Sequence, residues 1–448
     1  MKLSRRFDCA AVLAGLALSG TTWAQQTTPA ATGHAPPVAP AAITGDFAGD
    51  YEVLQPLGDE PGRIKLGDYG QVYYVPSTPA TVRWGYLPNR DAKPVLAVPS
   101  GSVVVFDTVS HEGILEDQGR NPVTYFGRYG IDERHVLADA RAIAASDVAH
   151  DFAAAGPHVV TGPVAIEGAQ PGDVLLVETL DLQPRAPYGV ISNRHGKGAL
   201  AGEFPETEAP DPTASAERPE LYRNVSIFTP VRKVHNRWYG VLHNRRGEEV
   251  WFPVYPFMGI MGIAPDTSEP VHSVPPDAHG GNLDIAELGV GSKLYLPVEV
   301  AGALFYTGDP HNSQGDGEVA LTALEQPLRA TFRLTLLKPG DPRIPSEDAL
   351  TQPFGETEEF WIPIGLHQDL DEAMKDAVRQ AIAFLDAKLD MDRATALAYM
   401  SAATDYEVSQ VVDRTKGIHA LIRKADFAET SAARVRPPEA EEAEAETD

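Results

Sequence analysis

Histidine and carboxylate side chains are concentrated in three glycine-containing segments of the chain, which are residues 110–113, 279–284 and 308–318. Imidazole and carboxylate groups are ligands suited to Zn²⁺ and similar divalent ions. Glycine lets the backbone turn tightly, so side chains from such segments can meet in one pocket. The segments therefore predict a divalent metal site, although a lone His–Glu pair or a Gly-Asp-Gly-Glu turn is also typical of an ordinary structural role.

The familiar signatures of several other enzyme classes are absent from the sequence. Neither a Gly-x-Ser-x-Gly elbow nor a GxxxxGK[ST] phosphate loop occurs. His111-Glu112 begins like the HExxH zinc motif, but Leu115 occupies the position of the second histidine. Cys9 is the only cysteine and lies in the N-terminal segment predicted below to be removed, which excludes a cysteine nucleophile in the mature chain.

The composition argues against two kinds of partner. The chain of 448 residues carries 63 acidic residues against 37 Lys and Arg, for a formal net charge of −26. Nucleic acids and anionic membrane surfaces are bound through excess positive charge, so neither partner is expected. The 39 glycines and 38 prolines indicate many turns and short strands rather than a helical bundle.

The N-terminus has the features of an export signal. Basic residues precede an apolar run at residues 10–19, and Ala24 supplies the small residue that a signal peptidase requires. Residues 1–24 are therefore predicted to be a removable signal, and the mature protein is expected to be periplasmic or secreted. The pair Arg5-Arg6 leaves a twin-arginine signal open beside a general secretory signal.

Two further terminal segments lack a core-forming pattern. Residues 25–48 are rich in Gln, Thr, Ala and Pro and are predicted to be a flexible leader. Residues 426–448 are predicted to be an acidic disordered tail, because residues 437–448 contain six acids and no base.

The residues between these segments have the pattern of a β-rich protein. Apolar and polar residues alternate over residues 329–337, which is typical of a half-buried strand, while the apolar runs 103–106 and 174–177 predict strands buried on both faces. The pattern changes at residues 369–389, where Leu370, Met374, Ala377, Ala381 and Leu385 have helical spacing.

A second helix is predicted at residues 393–402, with Asp392 as its N-cap. The fold is therefore expected to be mainly β, with a β-sandwich core over residues 49–345. A small helical pair and a closing strand are expected over residues 346–425, which makes the chain α+β overall.

Several segments together resemble the acetamidase/formamidase family over roughly residues 70–425. The segments that carry the resemblance are GPV (162–164), GDV (172–174), PFMGIMG (256–262), HGGNLD (279–284), GDPHNSQGDGE (308–318) and VSQVVD (408–413). The resemblance implies a jelly-roll-like β-sandwich, homo-oligomers, and hydrolysis of short-chain linear amides to a carboxylate and ammonia. It also implies a bound divalent metal ion in at least some members.

On this basis the chain is hypothesised to be an exported, metal-dependent amidohydrolase acting on a small formamide-like or acetamide-like substrate. Zn²⁺ is the favoured ion and Ca²⁺ the alternative. The expected metal ligands are His111, His279 and Asp284, with Asp309 and His311 as further candidates. Glu318 is expected to be the general base, Asn282 to hydrogen-bond the amide or its oxyanion, and Asp316 to belong to the catalytic group.

Two alternatives remain open at this point. The first is a secreted β-sandwich binding module with a structural Ca²⁺ at the Asp/Glu-rich turn, since sandwiches host many functions. The second is a metal-dependent hydrolase of a lactam, a cyclic amide or an ester. The other histidines (His158, His195, His235, His243 and His272) are expected to have ordinary structural or surface roles.

Overall fold

The computed structural model describes residues 53–346 and 350–428. The predicted signal at residues 1–24, the leader at residues 25–48 and all but the first three residues of the predicted acidic tail lie outside the described residues. The described strands, in chain order, are β1 (Gly62–Leu66), β2 (Gly70–Val75), β3 (Val82–Trp84), β4 (Tyr86–Leu87), β5 (Leu96–Val98), β6 (Ser102–Asp107), β7 (Val159–Ile166), β8 (Val174–Pro184), β9 (Tyr188–Asn193), β10 (Val225–Val234), β11 (Arg237–His243), β12 (Glu249–Pro253), β13 (Phe257–Gly262), β14 (Val271–His272), β15 (Gly280–Asn282), β16 (Lys293–Pro297), β17 (Phe305–Ser313), β18 (Leu324–Glu325), β19 (Leu328–Leu337), β20 (Phe354–Glu356), β21 (Phe360–His367), β22 (Asp405–Gln410) and β23 (Lys416–Arg423). The α-helices are α1 (Pro122–Gly127), α2 (Ala138–Ala144), α3 (Leu370–Leu389) and α4 (Arg393–Ala403).

Most of these strands belong to two large sheets. The first sheet has the order β1-β2-β6-β19-β8-β16-β20-β21-β23-β22. The second sheet has the order β12-β11-β10-β9-β18-β17-β13-β15, and β7 joins it through β17 together with β3 and β5. The strands β18, β17, β13 and β15 are therefore neighbours in one sheet, and they carry most of the site described below.

The two sheets share one buried core. Phe106 on β6 and Phe332 on β19 come from the first sheet, and each packs edge-on against Phe305 on β17 of the second sheet at a centroid distance of 5.7 Å. Val104, Leu175 and Met258 extend the same cluster, whose members are all buried. The predicted mainly β fold, a β-sandwich core with a C-terminal helical pair, is confirmed.

The strand predictions follow the observed burial. Ala330, Phe332 and Leu334 alternate along β19 and enter the shared core, while Arg333 between them is exposed. The run at residues 174–177 contributes Leu175 to this core and Leu176 to a second cluster under the helices, so β8 is buried on both faces as predicted.

The helix α3 packs on β21 and β23 of the first sheet. Asp369 caps it by accepting hydrogen bonds from the backbone N–H groups of Asp371 and Glu372, and Asp392 caps α4 in the same way. The buried face of α3 differs from the predicted face at its start, because Ala373 is buried whereas Met374 is exposed. A glycine is required at position 365 of β21, since a Cβ atom there would lie 2.2 Å from the backbone carbonyl oxygen of Ala373. Among the described residues, no helix is both long enough and apolar enough to cross a membrane.

Candidate functional site

Asp309 and His311 form the centre of the site on strand β17. Residues two apart on a strand point to the same face, and the Nε2 atom of His311 lies 3.0 Å from Oδ2 of Asp309. The neighbouring strand β13 contributes Gly259 beneath them. A Cβ atom at Gly259 would lie 2.8 Å from the His311 ring and 2.9 Å from the Asp309 carboxylate. The floor of the site therefore requires a glycine.

Glu325 adds a second carboxylate from the other side of β17. It lies on β18 and is the direct cross-strand partner of His311. Its Oε1 atom is 3.0 Å from Nε2 of His311, and both side chains are fully buried. Asp309, His311 and Glu325 thus place three ligand atoms within reach of a single ion.

Two further histidines approach Asp309 from segments outside β17. Nδ1 of His111, in the loop after β6, lies 3.6 Å from one carboxylate oxygen of Asp309. Nε2 of His158, just before β7, lies 3.6 Å from the other oxygen. The Nδ1 atom of His158 is hydrogen-bonded to the hydroxyl of Ser273 at 2.9 Å, which orients the ring with Nε2 toward the site.

The neighbour of His111 in the sequence holds this loop in place. Glu112 accepts hydrogen bonds from Arg194 at 2.8 Å and from the hydroxyl of Ser192 at 2.7 Å, and it lies 3.3 Å from Nε2 of His111. Burial opposes the charged carboxylate, but Arg194 and His111 hold the pKa of Glu112 well below its usual range. Glu112 therefore remains a carboxylate that orients His111 from behind.

Asp284 and Glu318 also approach the imidazole of His311. Their carboxylate oxygens are 3.7 Å and 3.9 Å from Nδ1 and Nε2 of the imidazole, respectively. The backbone is left-handed at Asp284, Asp309 and Glu318, with φ values of 50°, 52° and 47°. Non-glycine residues adopt this conformation at a cost of about 1–3 kcal/mol, and such strain is concentrated at functional sites.

Asn282 and Asp413 complete the polar wall. The side-chain amide of Asn282 donates a hydrogen bond to Asp413 at 2.9 Å, and both residues are buried. Asp413 follows strand β22, and its backbone N–H donates to the side-chain oxygen of Gln410. The segment 408–413 therefore contributes directly to the site.

Burial and crowding of these acids control the pKa values in the site. Burial, together with neighbouring carboxylates, raises the pKa of Glu325 and of Asp413 to about 7. The same causes raise the pKa of Asp284 and of Glu318 well above the usual range. So many carboxyl groups in one buried space strongly favour a bound cation.

Buried polar atoms that lack hydrogen-bond partners indicate whether a metal ion fits the site. Several buried atoms make no properly oriented hydrogen bond to any described residue, even where a carboxylate lies close by: both ring nitrogens of His111 and His311, both carboxylate oxygens of Asp284, Oδ1 of Asp309 and Oε2 of Glu325. Buried polar atoms without partners are rare, because each carries an uncompensated desolvation cost. A set of imidazole and carboxylate atoms suits a divalent ion of the Zn²⁺ type, so the residues fit such an ion.

A cavity with a volume of about 330 Å³ lies beside these groups. His111, His158, Asp309 and Glu325 form one part of the wall, and Asn282, Glu318 and Asp413 form another. Cationic side chains also line the cavity, namely Arg194, Lys197 and Arg414. The volume falls within the range of small-molecule sites.

Two of the expected site residues lie elsewhere. His279 is buried, but its Nδ1 atom is hydrogen-bonded to the hydroxyl of Tyr306 at 3.1 Å, and it belongs to none of the potential metal groups found among the described residues. Burial lowers its pKa to about 4. The left-handed glycines Gly280 and Gly281 turn the chain between His279 and Asn282, so only Asn282 lines the cavity.

Asp316 belongs to a different group from Glu318. It lies with Glu287, Glu407 and His419, and it is exposed whereas Glu318 is buried. Although the residue as a whole is exposed, partial desolvation of its carboxyl group and the nearby acids Glu407 and Glu287 raise the pKa of Asp316 to about 6. The structure thus brings together His111, Asp284, Asp309, His311, Asn282 and Glu318 but not His279 and Asp316.

Sequence reasoning missed Glu325 and His158. Glu325 lies in the apolar sequence Ala323-Leu324-Glu325, and an acid in a buried strand is a signal that could have identified it. The sequence predicts an ordinary role for His158, but Nε2 of its ring lies 3.6 Å from Asp309. His272 also lines the cavity. Asp413 ends the segment VSQVVD, so the resemblance had already marked its position.

The sequence of this chain is similar to one protein family and to several curated proteins. Residues 139–270 and 266–423 match the model of the Acetamidase/Formamidase family. A formamidase of Methylophilus methylotrophus is 27% identical over 236 residues, which cover 44% of this chain and 56% of that protein. An acetamidase of Mycolicibacterium smegmatis is 28% identical over 219 residues, which cover 39% of this chain and 52% of that protein. The chain thus spans about half the length of these curated relatives.

Solved structures match over a larger share of the chain. The crystal structure of an acetamidase from Bacillus halodurans superimposes with a TM-score of 0.59 at 23% identity, covering 79% of this chain and 98% of the other. At this level of identity the similarity shows a shared fold.

Proposed function

The chain belongs to the acetamidase/formamidase family, and from this premise we propose that it is a metal-dependent amidohydrolase acting on a short linear amide. The products are a carboxylate and ammonia. The observation that carries the proposal is the group His111, Asp309, His311 and Glu325 beside a cavity. Each of the four has at least one buried ligand atom without a hydrogen-bond partner among the described residues.

This group of four residues would hold the divalent ion. His158 forms a group of potential ligands with His111 and Asp309, and Asp284 and Glu318 form another with His311. Two or more imidazoles favour Zn²⁺ over Ca²⁺, which prefers oxygen ligands alone. When bound, such an ion polarises a carbonyl group and lowers the pKa of coordinated water to about 7.

The protein's own residues bind the amide and move its protons. Asn282 uses one amide N–H on Asp413, and its second N–H is available to the carbonyl oxygen of the substrate. Glu318 lines the cavity and takes a proton from the attacking water. It then passes this proton to the nitrogen as the C–N bond breaks, so that ammonia leaves and the acyl carbon keeps the water oxygen.

The cavity has room for more than the smallest amides. A water molecule occupies roughly 30 Å³ in the liquid, so a cavity of about 330 Å³ also accommodates acyl groups longer than acetyl. A lactam, cyclic amide or ester would use the same residues, and these substrates are therefore included in the test below.

The location and assembly of the protein are part of the same proposal. The basic and apolar pattern of residues 1–24 supports export to the periplasm or the medium, and the family resemblance supports a homo-oligomer. Sequencing the N-terminus of protein recovered from the periplasm tests the export signal. We expect the mature chain to begin at Gln25, and recovery of an intact Met1 there would contradict it.

The decisive experiment measures ammonia release from a panel of linear amides by the mature protein, before and after chelation and after addition of Zn²⁺. Lactams and esters are assayed by loss of substrate. We expect hydrolysis of at least one linear amide, loss of activity on chelation and recovery with Zn²⁺. Full activity without any bound metal contradicts the metal-dependent mechanism. Absence of hydrolysis together with a bound Ca²⁺ supports the binding-module alternative instead.

A further inference from the structure

A second group of potential ligands lies outside the cavity. It consists of Glu287, Asp316, Glu407 and His419, and we refer to it as the His419 cluster. His419 lies on β23 and is fully buried, and its direct cross-strand partner on β22 is Glu407. One ligand atom from each of the four residues lies within 4.8 Å of those of the others.

The ring of His419 is aimed into this cluster. Its Nδ1 atom is hydrogen-bonded to the hydroxyl of Ser409 at 2.8 Å, which leaves Nε2 facing the acids. Nε2 lies 3.0 Å from Glu287 and 3.6 Å from Glu407, yet it makes no properly oriented hydrogen bond with any described residue. Oε2 of Glu287 is also buried and without a hydrogen-bond partner in the described part of the chain.

The charges of the cluster do not balance. Three carboxylates surround one imidazole, so even a protonated His419 would leave negative charge uncompensated. Over residues 53–346 and 350–428, no Lys or Arg lies within ion-pair distance of Glu287, Asp316 or Glu407. Asp316 is exposed, so an ion can reach the cluster from solvent.

The segments that carry the cluster also carry the cavity residues. Glu287 follows Asp284 by three residues, and Asp316 precedes Glu318 by two residues. Gln314 connects these two segments to β22, because its side-chain amide donates to the carbonyl oxygens of Asp284 and Ser409 at 2.9 Å and 3.0 Å. Three segments that shape the catalytic cavity are thus held together next to the His419 cluster.

We propose that Glu287, Asp316, Glu407 and His419 bind a second divalent cation, separate from the one in the cavity. One imidazole with three carboxylates suits a first-row ion such as Zn²⁺ or Mn²⁺. The ion neutralises the acids and fixes the segments that carry Asp284 and Glu318. Its role is structural, because the cluster does not line the cavity.

The test is the metal stoichiometry of the full mature protein. Chelated protein is dialysed against Zn²⁺ or Mn²⁺, and bound metal is measured for wild type, Glu407→Gln, His311→Ala and the double variant. Glu407→Gln keeps size and hydrogen bonding but weakens the ligand. We expect Glu407→Gln to bind one equivalent of metal less than wild type. In the double variant, this loss should add to the loss of metal caused by His311→Ala. Glu358→Gln is the matched control, since Glu358 is exposed outside the cluster, and it should retain the wild-type stoichiometry.

A thermal-unfolding series provides the second readout. The ion should raise the melting temperature of wild type more than that of Glu407→Gln. If Glu407→Gln does not fold, Asp316→Asn on the exposed turn should show the same loss of one equivalent. Equal stoichiometry in wild type and in the folded cluster variant overturns the second site. Failure of the second site is distinguishable from failure of the proposed function. If His311→Ala loses metal and the cluster variant does not, the second site is absent but the proposed metal-dependent hydrolysis stands.

Discussion

His311 and Glu325 are direct cross-strand partners on β17 and β18, and an imidazole nitrogen of one lies 3.0 Å from a carboxylate oxygen of the other. Such pairs on adjacent strands have a spacing set by the sheet itself. The sheet therefore holds two potential metal-ligand groups at a fixed separation, with Asp309 beside them on β17. A site built on strands is more rigid than one built on loops, which favours a preorganised metal centre.

Glu325→Gln is predicted to weaken metal binding. The substitution keeps the shape of the side chain but removes its charge, and outer-shell changes alone cost about 10–100-fold in metal affinity. We expect at least this loss, with the fold preserved, in competition titrations with a chromogenic chelator. Glu167→Gln is the control because Glu167 is exposed. Unchanged affinity in the Glu325 variant would exclude Glu325 as a ligand.

Glu318→Gln is predicted to lower kcat by roughly 100-fold to 10,000-fold, the range attributed to general acid–base catalysis. The amide keeps the hydrogen bonding of the carboxylate but cannot accept the proton of water. The measurement compares kcat on the best amide with bound metal in the same preparation. Loss of metal would make Glu318 a ligand rather than the base. A kcat within a few-fold of wild type would assign it a structural role.

Gly259→Ala is predicted to disrupt the site while leaving the sandwich folded. The added methyl carbon would lie 2.5 Å from a carboxylate oxygen of Asp284, so this acid and the His311 ring must move. A misplacement of about 1 Å can cost about 100-fold in rate, and we expect a loss of that order in kcat/KM. Gly127→Ala is a matched control because nothing lies within 4 Å of its Cβ position. Wild-type kcat/KM in Gly259→Ala would show that the floor is not rigid.

Arg185→Met is predicted to destabilise the protein by about 3–5 kcal/mol, the usual cost of removing one partner of a buried ion pair. Arg185 is fully buried, lies 2.7 Å from a carboxylate oxygen of Asp139, and donates to the carbonyl of Thr108 in the segment leading to His111. Urea unfolding followed by circular dichroism measures the effect. Arg333→Met removes an exposed partner of Glu178 and should change stability by less than about 1 kcal/mol. Equal midpoints for the two variants would contradict the predicted role of Arg185.

The sequence by itself determined the local features of this protein. Alternation along residues 329–337 was sufficient to predict β19, because side chains in a strand point alternately to opposite faces. Asp369 and Asp392 predicted the starts of α3 and α4, because a capping side chain acts on backbone groups only two or three residues away. The glycine-containing segments also indicated His111, Asp309, His311 and Glu318, since the residue types that bind metals are visible in the sequence.

Only the tertiary structure decided which of these side chains meet. Glu325 joins His311 through the pairing of β17 with β18, and His158 reaches Asp309 from the segment before β7. His279, whose sequence context was as favourable as that of His311, instead contacts Tyr306. Strand pairing, and the direction of the His279 side chain next to two left-handed glycines, depend on contacts between distant parts of the chain. Spacing along the sequence therefore does not specify them.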